Sequence, residues 1–161
     1  MHFYRFLRKN PDDEKRWTVW DHLLVIALNI SQDNATAREY LEFMLEDFAS
    51  DPPRRRRISL ELASLCNQMR TYSRAVELWE GLLEDPGLPD EERAWVVRMV
   101  AQAYLRRMEF TPAAELLEQC LSLPVAPAPK ADCLSSLAAA RLPTHALQGP
   151  APALPHLLPL P

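Results

Sequence analysis

Glycine is scarce in this chain of 161 residues, which holds only Gly81, Gly87 and Gly149. Phosphate-cradling loops and dinucleotide turns need several glycines close together, because the backbone must approach the ligand and adopt positive φ. No such loop can be built here, which excludes most nucleotide-dependent enzymes. Cysteine is scarce too, with Cys66, Cys120 and Cys133 only. An odd, widely spaced set reads as neither a disulfide framework nor a zinc site, so reduced thiols are expected. Lysine occurs only at Lys9, Lys15 and Lys130, the other basic residues being arginine. A net charge of −4 is too weak to argue for nucleic acid or a membrane surface as partner. The apolar run Leu23-Leu24-Val25-Ile26-Ala27-Leu28 is too short to span a bilayer. It follows Asp12, Asp13, Glu14 and Asp21 and has no small-residue cleavage site, so it reads as a buried helix rather than a signal segment. A cytoplasmic location is the resulting expectation.

Long apolar–polar alternation is also missing, so no strand is expected. From Trp17 to about Leu142, apolar residues recur every three or four positions, the helical period. Breakers interrupt them at Ser31-Gln32-Asp33-Asn34, Asp51-Pro52-Pro53, Arg70-Thr71-Tyr72-Ser73, Asp85-Pro86-Gly87-Leu88-Pro89, Phe110-Thr111-Pro112 and the Pro-rich run 124–129. This predicts about six helices and a seventh near 130–142. The organisation is an N-terminal extension 1–16, a helical domain 17–142 and a Pro-rich tail 143–161 expected to be disordered or polyproline-like. Thr36 with Glu39 reads as a capping box, Asp90 as the cap of its helix, and Thr111-Pro112 as a helix start. Arg54-Arg55-Arg56-Arg57 opens a helix at the end that prefers anions. It reads either as a solvated charge run or as a nuclear-localisation or acidic-partner patch.

A shift of 38 residues aligns the chain with itself. Leu24, Leu62 and Val100 fall in one column, followed by Val25, Ala63, Ala101; Ala27, Leu65, Ala103; and Leu28, Cys66, Tyr104. The following helix adds Ala37, Ala75, Ala113; Glu39, Glu77, Glu115; Leu41, Trp79, Leu117; and Leu45, Leu83, Leu121. Pro86 and Pro124 match, with Phe48 in the first unit. Shared helical period can align apolar columns, but not a fixed small Ala, a Glu and a Pro together.

These columns resemble the tetratricopeptide repeat, whose pattern runs Trp, Leu-Gly, Tyr, a small Ala, an aromatic four later and a closing Pro. The third unit reads Val97, Val100-Ala101, Tyr104, Ala113, Leu117, Pro124; the second Ser59, Leu62-Ala63, Cys66, Ala75, Trp79, Pro86; the first Asp21, Leu24-Val25, Leu28, Ala37, Leu41. The resemblance covers roughly residues 17–124. It departs from the family in period, in having Ala or Val for its Gly, and in lacking the first Trp. It implies an all-α, right-handed α-solenoid of antiparallel helix pairs, about three repeats plus a terminal helix containing Ala138-Ala139.

The resemblance further implies a concave face lined by the first helix of each pair, where a protein or peptide segment would bind. The residues it places there are His22, Asn29, Arg57, Asn67, Trp95, Arg98, Gln102 and Arg106, with Ile26 and Ser64 beside them. An Arg- and Asn-rich face with one Trp suits an acidic or extended peptide. The heat-shock carboxylate clamp of some family members is absent: the corresponding places hold His22 and Ile26, Glu61, then Trp95 and Met99, and Glu61 would repel a carboxylate. The expected function is an interaction adaptor or scaffold. The alternatives are a self-associating structural protein joined through exposed array ends, with Trp17, Trp20 and His2-Phe3-Tyr4-Arg5-Phe6 at one of them, or a small chaperone of a secreted or assembling partner. No catalytic role is expected, since His2, His22, His145 and His156 have no nucleophile or carboxylate at a known spacing. No cofactor and no metal are expected either.

Overall fold

The computed structural model describes residues 6–7, 9 and 15–147, with side chains as far as Arg141. Its elements are α1 (Arg16–Val25), a π-helical continuation (Ile26–Ile30), α2 (Asn34–Asp47), α3 (Pro52–Gln68), α4 (Tyr72–Leu83), α5 (Asp90–Arg106), α6 (Phe110–Ser122) and α7 (Pro127–Leu147). Among the described residues there is no strand. The chain is all-helical, as the apolar period predicts.

The helix starts differ from expectation in instructive ways. Asp33 caps α2: its carboxylate accepts from the Thr36 N–H at 3.1 Å and from the Thr36 hydroxyl at 2.7 Å. Thr36 therefore sits a turn inside the helix, because Asp33 reaches the orphan N–H first. Those two bonds hold the Asp33 carboxyl below its ordinary range. Asp51 caps α3 by accepting from the Arg54 N–H at 3.1 Å, and Pro52 and Pro53 occupy positions whose N–H would be unpaired anyway. Pro89, not Asp90, stands at the cap of α5, and Asp90, Glu91 and Glu92 fill its first turn, where the helix dipole favours anions. Helix α6 begins at Phe110, with Glu109 rather than Thr111 at the cap position. Helix α7 runs from Pro127 to Leu147, through prolines read as breakers and past the expected end at Leu142. A proline near a helix start loses an N–H that has no partner there, and one further along forfeits one bond rather than all. Tail residues 148–161 lie outside the described residues, as do His2 to Arg5.

Among the described residues, three non-glycine residues take positive φ: Gln32 (50°), Arg70 (61°) and Met108 (64°). Each lies 38 positions after the last, in the turn that ends α1, α3 or α5. With Arg70 and Met108 left-handed, the Thr71 N–H reaches back to the Cys66 carbonyl and the Glu109 N–H to that of Tyr104, both at 2.9 Å. After α1 the Asp33 N–H bonds Ala27, one residue earlier in this register, and the π winding of Ile26–Ile30 takes up the extra residue.

Each helix packs against its chain neighbours, and α5 also packs against α7. Ala37, Ala75 and Ala113 are all fully buried, as are Ala63 and Ala101, where small side chains let paired helices approach closely. Val25, in the same column as Ala63 and Ala101, is exposed. The interior forms two clusters. One spans α1 to α5 around Trp20, Leu41, Met44, Ile58, Leu62 and Trp79. The other joins α5, α6 and α7 around Val97, Ala113, Leu117, Cys120, Cys133 and Leu137. Cys120 and Cys133 form a disulfide, with Cys66 free and buried. This corrects the reduced-thiol expectation. Linear spacing does not reveal that the α6–α7 hairpin brings the two sulfurs together.

Candidate functional site

Helix α1 with its π continuation and helix α3 supply most side chains of the candidate site. Between α1 with its π continuation and α3 lies a cavity of about 460 Å³. Leu24, Val25, Leu28, Leu60 and Leu65 make its apolar wall. Asn29, Ser64 and Gln68 give it an uncharged polar rim. At one end Arg57 donates to Glu61 at 3.1 Å and to Asp21 at 3.5 Å, so the charges there are matched within the protein. Val25, Ile26 and the more protruding Ile30 are exposed on the same segment as Asn29. The arrangement can bury an apolar side chain while amides at its edge bond a peptide backbone.

Of the eight residues expected to bind, Asn29 and Arg57 line this cavity. His22 is exposed on α1. Asn67 and Gln102 are half-buried on α3 and α5. Trp95 is half-buried and lies edge-on to Trp79 with ring centroids 6.1 Å apart, packed against the first cluster. Arg98 is paired with Asp132 of α7. The Arg106 guanidinium lies over the Tyr72 ring at 5.3 Å. Of the other expected residues, Trp95 packs against the first cluster, and Arg98 and Arg106 meet neighbouring helices. Val25, Leu60 and Gln68 were not expected at the site. The signal was present for two of them, since Leu60, Ser64 and Gln68 follow one another at four-residue spacing along one face of α3.

The Arg54–Arg57 run is not simply a solvated charge run. Arg54 bridges to Asp51 at 3.3 Å and lies over the rings of Trp17 and Phe48. Arg56 bonds Asp85 at 2.8 Å, and this bond with that of Gly87 holds the Asp85 carboxyl below its ordinary range. Arg57 lies over Trp17 as well as meeting its two carboxylates. Consecutive helical positions point in different directions, so one short run braces several neighbours.

A larger cleft of about 630 Å³ opens between α2, α3 and α4. Arg55, Arg56 and Arg74 line it opposite Glu77, Glu84 and Asp85. Arg74 bonds Glu42 of α2 at 2.8 Å and Glu77, one turn along its own helix, at 3.2 Å, which raises its already high pKa. At the next junction a cleft of about 370 Å³ includes Glu80 and Tyr104. There the Tyr104 hydroxyl donates to Glu80 at 2.5 Å, and that bond pushes the phenol up to about 12. Like the α1–α3 cavity with its Arg57–Asp21 pair, these clefts are spanned by bonds within the protein; the α1–α3 cavity differs in the run of leucines, with Val25, along its wall. Among the described residues no group of three or more His, Cys, Asp or Glu is placed to hold a metal, and no helix is long and apolar enough to cross a membrane. Comparison of the chain with protein-family models, with curated proteins and with solved structures finds no match.

Proposed function

We propose that this chain is a binding protein rather than an enzyme, and that it holds an extended segment of another protein against α1, α3 and α5. The observation that carries this reading is the α1–α3 cavity, apolar within and edged by Asn29, Ser64 and Gln68. Left-handed turns at a 38-residue spacing, together with packing between chain neighbours, support a tetratricopeptide-like solenoid as the scaffold. The charge pairing favours one kind of segment over another. Arg57 and Arg98 already meet carboxylates of this chain, so an apolar side chain with a free backbone suits the groove better than an acidic peptide.

Affinity capture from the native cell, with wild type and Val25→Glu side by side, tests the proposal. Val25 is exposed, so the substitution should leave the urea midpoint unchanged while abolishing capture of the partner. An unchanged set of captured proteins would overturn the groove assignment. Self-association is the second reading, favoured by exposed Leu134 on α7 next to exposed Ala138 and Ala139. A monomer by light scattering at micromolar concentration would remove it.

A further inference from the structure

We infer that the Cys120–Cys133 disulfide is a redox latch: it holds α7 against α5 and α6, and a dithiol reductant releases that helix. The bond joins the α6 residue Cys120 to the α7 residue Cys133, which are 0% and 1% exposed. Beyond the bond, the described part of α7 packs closely on α5 and α6 over mostly small side chains. It contributes Cys133, Leu137 and Ala140 to the second cluster, and among its described side chains Leu137 is the one large buried hydrophobic. Its ion pairs, Asp132 with Arg98 and Arg141 with Glu118, lie at the surface, where water weakens them.

The preceding junction shows what the disulfide replaces. Positions 38 residues earlier are Leu82 and Trp95, both packed in the first cluster, with Trp95 edge-on to Trp79. At α4–α5 an indole fills the crossing. At α6–α7 two thiol-sized side chains stand in its place, and a covalent bond joins the two helices where the indole would pack. Releasing α7 uncovers the apolar side chains Ala94, Val97, Ala101 and Leu117.

The chemistry is thiol–disulfide exchange. A thiolate of the reductant attacks one sulfur, the S–S bond breaks and a mixed disulfide forms. The second thiol of the reductant then closes its own disulfide ring. Two electrons and two protons pass to Cys120 and Cys133, which end as thiols. Because both sulfurs are buried, exchange proceeds through local opening of α7.

Hydrogen exchange by mass spectrometry on the full chain, oxidised and after dithiothreitol, tests the latch, with thiols counted by alkylation after denaturation. The oxidised chain should show one free thiol, Cys66, and the reduced chain three. On reduction the amides of α7 should exchange about tenfold faster or more, with those of α1 to α4 unchanged. The double variant Cys120→Ala, Cys133→Ala should behave as the reduced chain under both conditions. Three free thiols in the chain after treatment with a disulfide oxidant would overturn the inference. So would equal protection of α7 in both states, or a loss of protection that spreads to α1–α4.

Discussion

Around α1 to α4 the interior is filled by Trp20, Leu41, Met44, Ile58, Leu62 and Trp79, while around α5 to α7 it is filled by Ala94, Val97, Ala101, Ala113, Leu117 and a cysteine pair. Both regions use the same helix-pair plan. The first draws its stability from volume, since each large side chain removed from water contributes about 1.5–3 kcal/mol. The second brings its helices close over small residues, which leaves less apolar area to bury. A covalent bond then ties the last helix to α6. One plan can therefore be held together in two ways, by side-chain volume at one end and by chemistry at the other.

Removing volume from the first region should have the largest effect. Trp79→Ala should cost about 3–5 kcal/mol in urea unfolding. Trp79→Phe should retain most of that stability, because the buried indole N–H has no hydrogen-bond partner to lose. A small loss for the alanine variant would break the comparison at its stronger end. In the second region, Leu137→Ala should cost about 2 kcal/mol, near the lower end for such changes. Its effect on hydrogen exchange should be confined to α7, and a loss spreading into α1–α4 would show that the two clusters are one unit.

Smaller effects come from the turns that both regions share. Arg70→Gly relieves a left-handed conformation costing roughly 1–2 kcal/mol, offset by the greater unfolded-state freedom of glycine. A net gain of about 0.5–1 kcal/mol is expected, and a similar gain for Met108→Gly would show the turns to be equivalent across the two regions. The smallest effect is in the pH profile. Asp33 and Asp85 titrate below their ordinary value, so their contribution is present above the unfolded pKa of about 3.9 and is lost as pH falls through the folded values. Asp33→Asn and Asp85→Asn should each flatten the acid limb of a thermal-midpoint titration. Tyr104 has the opposite sign: its contribution is full below about 10 and is lost as pH rises toward 12, and Tyr104→Phe should remove that alkaline dependence.

The helices themselves were legible in the sequence. Apolar recurrence located α1 to α6, and breakers such as Asp51-Pro52-Pro53 marked their joints, because period and turn chemistry are local properties. What was not legible depends on three-dimensional approach. Asp33 outcompetes Thr36 for a cap through a side-chain reach that a motif does not encode. The disulfide depends on how α6 and α7 fold against each other, and sequence spacing is silent on that. Trp95 reads equally well as a surface anchor or as a wedge between helices, and sequence alone does not show that Trp79 packs edge-on to it. Of the site, Asn29 and Arg57 were found because they lie on first helices at open positions. Val25 was missed because its column suggests the burial that Ala63 and Ala101 have, and the neighbouring π turn goes with its exposure.

Packing mainly between chain neighbours also bears on how the molecule reaches its native state. Contacts between adjacent helices close short loops, so little chain entropy is lost before each contact forms, and such topologies fold quickly. Opening can start at either end and advance helix by helix, without tearing a strand from a sheet. Residual helical structure at intermediate denaturant, lost in order along the chain, is what this molecule should display on the way to unfolding.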